Sequence, residues 1–433
     1  MGLRARIWSI NKQPKDGIMK KTYLYIALAM AVLSLTSVQK VFSNDQAYYW
    51  IKVAADDKFE RSLIADTGAA IEIVKDDYVI AYGSDVELKK LQKLGWVTAY
   101  SNLAHEDFPV KDAPYHNYAE LTEALTQLAQ ANRDIVSMTS IAKTNEGRDM
   151  WAIRISGDLN NASLKPGVIF MGGHHAREHL SIEMPLMLAK YLVEQYRAGN
   201  QRVVTLINNR DIHLIPIVNP DGAEYDIKDG SYKMWRKNRT RNADGTYGVD
   251  LNRNYGFQWG TGGSSASPSS DTYKGTAPFS EIESTAVKNY VEKNENINIL
   301  LSFHSFSKLI LYPWGHKYTG IETGNDKRVH EVMAQKMATW NGYQPQQSSE
   351  LYIASGDTTD WSYGVHKIIS FTFELDPANN GFGGGGFYPG AGVIQPVFQK
   401  NIEPALYLIE YSDNPYRVLS MGIGPINPNP SPF

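Results

Sequence analysis

Residues 168–197 read VIFMGGHHAREHLSIEMPLMLAKYLVEQYR, and three patterns follow one another within them. Val168–Met171 is a short apolar run of strand type, Gly172-Gly173 a turn, and Ser181–Arg197 a segment of helical periodicity. Strand, turn and helix in that order form one unit of a layered α/β protein. The same grammar recurs around it. Strand candidates are Trp151–Ser156, Asp211–Val218, Ile297–Phe303 and Lys367–Leu375, and helix candidates are Tyr118–Asn132, Glu281–Lys293 and Lys327–Trp340. This alternation predicts a three-layer α/β/α domain over residues 115–415, with a mixed, mostly parallel central sheet covered on both faces.

Upstream lies a smaller α/β unit, residues 44–105. Tyr48–Ala54 and Trp96–Tyr100 read as strands, Ile71–Tyr82 as one or two more, and Asp57–Asp66 and Asp85–Leu94 as helices. Nothing in it has catalytic spacing. A polar stretch with Pro109 and Pro114 follows, giving a linker at 106–114. At the start, Lys20 and Lys21 precede thirteen apolar residues, Tyr23–Leu35. A membrane-spanning helix needs about 20, so residues 1–43 read as an export signal cut near Ser43/Asn44, with residues 1–18 a possible upstream extension. The alternative is an uncleaved anchor. Residues 416–433 form a Pro-rich tail.

The 433 residues are 42% hydrophobic and 11% aromatic, enough for a buried core and against disorder. Lys plus Arg number 43 against 46 Asp plus Glu, a net charge of -3 that gives nucleic acid no electrostatic footprint. There is no cysteine. Disulfides, thiolate metal sites and Cys nucleophiles are thereby excluded, and any metal must be held by His and carboxylate. Absence of disulfides is compatible with a periplasmic or secreted location.

The turn after Met171 carries His175-Ala-Arg-Glu178, a His and a Glu that can face one ion. With His179 the run also reads His-x-x-Glu-His, in which both His would be ligands and Glu the base. That pattern needs the middle of a long helix, whereas two glycines and a strand precede it here. His304 follows the apolar strand Ile297–Phe303, where open α/β sheets place functional groups. Glu374 lies in FTFEL near another strand end, a costly position for a carboxylate without a role or partner. Arg236 and Arg239 lie in MWRKNR, and Asn252 and Arg253 in GVDLNRN. Arginine suits bidentate carboxylate capture and oxyanion stabilisation. The Gly-rich run 381–390 satisfies GxGxxG, but Pro389 prevents a Rossmann helix, so a flexible active-site or surface loop is expected.

The segments GGHHARE, MWRKNR, GVDLNRN, LLSFHSFSKLILYPWG, LYIASGDTTDW and FTFEL occur in this order. Together they resemble the zinc metallocarboxypeptidases of the carboxypeptidase A and B type, over about residues 113–415. The resemblance implies one zinc per chain, bound by His175, Glu178 and His304, with Asp250 orienting His175. It implies Glu374 as general base and then proton donor, and Arg236 as oxyanion partner. Asn252, Arg253 and Tyr352 would grip the substrate's terminal carboxylate, and Arg177 and Ser305 would line more distant subsites. The expected partner is a peptide or protein with a free C-terminus, acted on by a monomer with no stable membrane insertion after signal cleavage.

Two positions depart from the family. Phe306 stands where the pancreatic enzymes have tyrosine. Thr359 precedes Asp360-Trp361, where the B-type has aspartate and the A-type isoleucine. Asp357, two positions upstream, could supply a negative charge, with Leu311 and Ala354 as apolar walls, so mixed hydrophobic and basic preference is expected. The 44–105 unit lies where family pro-segments lie and is expected to mask the cleft until the linker is cut. Two rivals remain: a same-fold amidase or deacylase acting on murein or acylated peptides, and a binding module that has lost catalysis. The first usually loses part of the carboxylate grip, and the second a ligand or the base.

Overall fold

The computed structural model describes residues 48–102, 112, 114–228, 232–322, 324–378 and 386–420. The expected export signal, most of the expected linker, residues 381–385 of the Gly-rich run and residues 421–433 lie outside them.

The first four strands are β1 (Tyr48–Ala54), β2 (Ala70–Val74), β3 (Tyr78–Ser84) and β4 (Val97–Asn102), with helices α1 (Lys58–Asp66) and α2 (Asp85–Leu94). They form an antiparallel sheet in the order β2-β3-β1-β4. Side chains alternate between its faces, and both faces are apolar. Ile51, Val53, Val79 and Ala81 pack with Ile64, Leu88 and Leu91 of the helices. Trp50, Ile73, Ile80 and Tyr82 pack with Met234, Phe306 and Phe387 of the larger body. A small sheet with two buried faces must dock on something, and the main body is what it docks on.

The larger sheet holds β5 (Val136–Lys143), β6 (Asp149–Ile155), β7 (Gly167–Met171), β8 (Asp211–Ile215), β9 (Ile297–Ser305), β10 (Leu309–Tyr312), β11 (Gln344–Gln347) and β12 (Ile369–Leu375). Their order is β11-β10-β12-β9-β7-β8-β6-β5. The central run β12-β9-β7-β8 is parallel, as is β10-β11, while β10-β12, β6-β8 and β5-β6 are antiparallel. All five residues of β7 and of β8 are buried, the pattern of strands covered on both faces.

The helices are α3 (Tyr118–Ala131), α4 (His179–Arg197), α5 (Gln201–Asn209), α6 (Pro220–Asp226), α7 (Ile282–Lys293), α8 (Asp326–Asn341), α9 (Thr358–His366) and α10 (Ile394–Tyr411). Val168, Phe170, Leu301 and Phe373 face a core built with α3, α4, α5, α8 and α10. Ile169, Met171 and Leu300 face the opposite side, against Val287 of α7 and Trp361 of α9. This is the expected α/β/α sandwich.

Several elements lie outside the sequence expectation: β5, β10, β11, α5, α6, α9 and α10. β11 is Gln-Pro-Gln-Gln, an edge strand whose only apolar residue is a proline. The β8 run was expected to reach Val218 but ends at Ile215, before Pro216. α9 begins Thr-Thr-Asp and contains Gly364, all weak helix formers. Capping by Asp357, which accepts the Asp360 N–H at 2.8 Å, and burial of Trp361 compensate.

Candidate active site

β7 and β9 are neighbours whose outgoing chains leave to opposite sides, so a crevice opens at their carboxyl ends. Gly173 has φ +64, and a Cβ on Gly172 would lie 2.1 Å from the Ser181 carbonyl oxygen. Only glycines allow the turn to press against the start of α4. The Gly173 N–H donates to Ser181 Oγ (3.0 Å), and the Ser181 hydroxyl donates to the Glu178 carbonyl (2.6 Å). His175 and Glu178 are therefore held in a turn, one step before the helix proper.

His175 Nδ1 lies 2.6 Å from Glu178 Oε1, and His304 Nδ1 lies 3.0 Å from Glu178 Oε2 and 3.2 Å from His175 Nδ1. All three side chains are buried, with donor atoms within 4.8 Å of one another. Two imidazoles and a carboxylate converging in this way fit a zinc ion, since they are the donor types of catalytic zinc sites. The rival His-x-x-Glu-His pairing is not formed. His179 turns its Nε2 to Asp226 Oδ2 at 2.9 Å, an acid that also accepts from the Trp235 N–H and the Tyr388 hydroxyl.

Behind the cluster sits Asp250, fully buried. Its Oδ1 lies 3.2 Å from His175 Nε2 and accepts the Asn252 N–H at 2.9 Å, while Oδ2 accepts from Arg236 Nε at 3.1 Å. Burial opposes its ionisation, but the Arg236 guanidinium and the His175 ring outweigh burial and hold the carboxyl well below the usual range. Glu374 pairs with His304 in the parallel β12–β9 register, which brings the two to the same end of the sheet. Burial, and next the Glu178 and Glu72 carboxylates, push the Glu374 carboxyl well above its ordinary value, against the pull of Arg236 and Arg253.

One cleft gathers His175, Glu178, Arg236, Asn252, Arg253, Ser305, Leu311, Tyr352, Ala354, Asp357, Thr359 and Glu374. His304, Arg177 and Asp250 are buried beside it. Arg239 is elsewhere, its guanidinium 3.6 Å from the Tyr225 ring centroid and also stacked on Trp235 and Tyr247. Asp357 Oδ1 accepts from Thr359 Oγ (2.6 Å) and the Asp360 N–H, whereas its buried Oδ2 has no protein partner. Burial and the Asp360 carboxylate push the Asp357 carboxyl up to about 7.

The sequence reading missed Glu72 of β2. Its Oε1 accepts from Arg177 Nη2 and lies 3.6 Å from Arg236 Nη1, and Ile71, Glu72 and Val74 all line the cleft. With that strand in place the cleft retains about 80 Å³, room for a few waters but not a peptide. A carboxylate in the apolar run Ala70-Ile-Glu-Ile-Val74 was the available signal, the same signal that singled out Glu374. The small unit also clasps the chain around Tyr352. Arg61 donates to the carbonyls of Leu351 (2.7 Å) and Glu350 (2.8 Å), and the Ile353 N–H donates to Ser62 Oγ at 3.1 Å. Of the Gly-rich run, Phe387 is buried against Trp50, Phe306 and Arg177 rather than exposed.

Among known proteins, the zinc carboxypeptidase family profile matches residues 121–404. A zinc carboxypeptidase of Saccharothrix mutabilis subsp. capreolus is 36% identical over 346 residues, 77% of either chain. Carboxypeptidase A1 of Sus scrofa is 32% identical over 312 residues, 70% of this chain and 72% of that one. The crystal structure of carboxypeptidase A from Helicoverpa armigera superposes with a TM-score of 0.70 at 24% identity, covering 86% of this chain and 98% of that one, a likeness of fold. The His–Glu–His cluster and the cleft lie within the matched span, and the chain belongs to the zinc carboxypeptidase family of hydrolases.

Proposed function

We propose that this chain is an exported, monomeric exopeptidase that removes the C-terminal residue of peptides and proteins, with one zinc held by His175, Glu178 and His304. The observation that carries this is the meeting, in one cleft, of that cluster with Glu374 and the Asn252–Arg253 pair. A cleft of this make can hold a peptide by its terminal carboxylate with the last peptide bond beside the base.

Zinc, when bound, supplies Lewis acidity towards water and the scissile carbonyl. The chain's own residues do the rest. Asp250 fixes the His175 ring through Nε2, so that Nδ1 faces inward. Glu374 Oε takes a proton from the attacking water and returns it to the leaving amine. The Arg236 guanidinium, held through Nε by Asp250, stabilises negative charge growing on the carbonyl oxygen. Arg253 and Asn252 bind the free carboxylate one residue beyond the cut, and Tyr352 closes over it. Arg177 and Ser305 serve residues further upstream.

The unpartnered Asp357 Oδ2 supports acceptance of Lys and Arg ends, with Leu311, Ala354 and Thr359 accommodating apolar ones. Residues 1–43 act as the export signal to a periplasmic or secreted location, while the tail expected at 416–433 begins as the 3-10 turn Pro415–Leu419, whose Val418 is buried in the core. Among the described residues no helix is long and apolar enough to cross a membrane. The 44–105 unit masks the 115–415 domain by placing Glu72 on Arg177 and Arg236, until proteolysis in the 106–114 linker.

The deciding assay follows release from peptides ending in Phe, Leu, Lys, Arg or Glu, before and after linker cleavage. Chelator-sensitive release that appears on cleavage and fails on C-terminally amidated peptides is expected. Hydrolysis of amidated or acylated substrates instead would transfer the protein to the amidase reading. Bound zinc without hydrolysis would leave a binding module.

A further inference from the structure

Asn252 Oδ1 accepts two hydrogen bonds from one residue, the Thr358 N–H at 3.0 Å and the Thr358 hydroxyl at 3.1 Å. A backbone N–H can only donate, so the atom facing Thr358 has to be the amide oxygen. This removes the usual ambiguity of an Asn side chain. With Oδ1 turned to Thr358, Nδ2 is left for the cleft that Asn252 lines.

Thr358 is the first residue of α9, so its N–H has no partner within the helix and lies at the positive end of the helix dipole. Its hydroxyl is itself oriented. Thr358 Oγ lies 3.1 Å from His174 Nε2, and His174 Nδ1 lies 3.3 Å from Ser302 Oγ on β9. His174 is wholly buried. When the Thr358 hydroxyl proton goes to Asn252, Thr358 Oγ is left to accept from the groups around it, His174 Nε2 and the Tyr255 hydroxyl, which itself lies 3.0 Å from that nitrogen.

We propose that Thr358 is a positioning residue for the substrate's terminal carboxylate: it holds Asn252 with Nδ2 directed into the cleft beside Arg253. This rests on the reading of Asn252 as part of the carboxylate grip. Nothing in Thr358 touches the reacting atoms. Its effect belongs in the affinity for a free carboxylate.

The position permits an unusually clean test. Proline is tolerated at the first residue of a helix, and Asp357 before it has φ -86 and ψ 163, a conformation allowed ahead of proline. Thr358→Ser keeps both donors, Thr358→Val removes the hydroxyl, and Thr358→Pro removes both. Using the zinc-loaded full chain after linker cleavage, the serine variant is expected to stay within about twofold of wild type in kcat/KM. Valine should lose about fivefold and proline about twentyfold, carried by KM with kcat little changed, at one modest hydrogen bond per step. In an Asn252→Ala background the same substitutions should add nothing.

Full kcat/KM in the valine and proline variants, while Asn252→Ala is impaired, would overturn the positioning role and leave the carboxylate grip standing. Normal activity of Asn252→Ala itself would remove the grip, and this inference with it. Equal losses with and without Asn252 would mark the defect as structural and also overturn it. If the proline variant does not fold, the valine variant decides alone.

Discussion

Two strands from different sheets each send one glutamate into the same cleft. β2 of the small sheet carries Glu72 in the run Ala-Ile-Glu-Ile-Val, and β12 of the large sheet carries Glu374 in Ile-Ser-Phe-Thr-Phe-Glu-Leu. Both side chains emerge from apolar strands, and both are largely removed from water. Their surroundings separate them. Glu72 faces the Arg177 and Arg236 guanidinium groups. Burial first, and then the Glu178 and Glu72 carboxylates, raise the Glu374 carboxyl against the pull of Arg236 and Arg253. A carboxylate in direct contact with guanidinium groups suits an anchor, whereas one whose proton affinity is raised by burial and by neighbouring carboxylates suits a base. Identical side chains thus make a docking contact in one wall and the proposed base in the other.

The largest expected effect breaks the reactive side of this contrast. Glu374→Gln should lower kcat by about a thousandfold or more while zinc content, measured by metal analysis, stays at one per chain. Retained hydrolysis would mean that another group is the base.

Next comes the anchoring side. Glu72→Ala leaves Arg177 with Asp271 as its remaining acidic partner, at 3.1 Å. Loss of one partner from a buried pair costs about 3 kcal/mol or more, which favours undocking of the small sheet. Basal hydrolysis by the uncut chain should rise about tenfold or more, with no change after linker cleavage. Unaltered basal activity would show that the aromatic contacts of Trp50 and Phe387 hold the unit in place without Glu72.

A smaller effect belongs to the third buried acid. Asp357→Asn should reduce release of Lys and Arg about tenfold relative to Phe and Leu, read as a ratio of kcat/KM values. Equal loss on all substrates would deny Asp357 a part in selection.

The smallest effect is the pH dependence of that ratio. A carboxyl raised to about 7 is neutral below that pH and charged above it, so Lys-over-Phe selectivity should climb between about pH 6 and 8. In Asp357→Asn the ratio should be flat across the same range. A sloping ratio in the variant would assign the titration to another group.

The three candidate metal ligands were legible because each sits at the end of an apolar strand or in the turn that follows it. The preference for His304 over His179 was legible too, because two glycines and a strand precede a run that would need the middle of a long helix to work as His-x-x-Glu-His. What no local pattern showed was the partner that His179 takes instead, Asp226, 47 positions away. Edge strands such as β11 were illegible for another reason. They are half-solvated and need no apolar pattern. Glu72 could be marked as an expensive residue in its strand, but its partners come from 105 positions away and beyond.

Sequence alone determined the layered α/β class, the small sheet ahead of it, and the candidate ligands, base and carboxylate-gripping groups. The class and the candidate ligands follow from local period and residue type, while the base and the carboxylate-gripping groups come from the resemblance of six ordered segments to the zinc metallocarboxypeptidases. Tertiary structure decided that His179 pairs with Asp226, that Glu72 occupies the cleft, and which way the Asn252 amide points. Each is a matter of distance between groups remote along the chain, set by the docking of one sheet on another and of a helix end on a loop. No local pattern encodes such distances, because they are fixed only when the whole core closes around them.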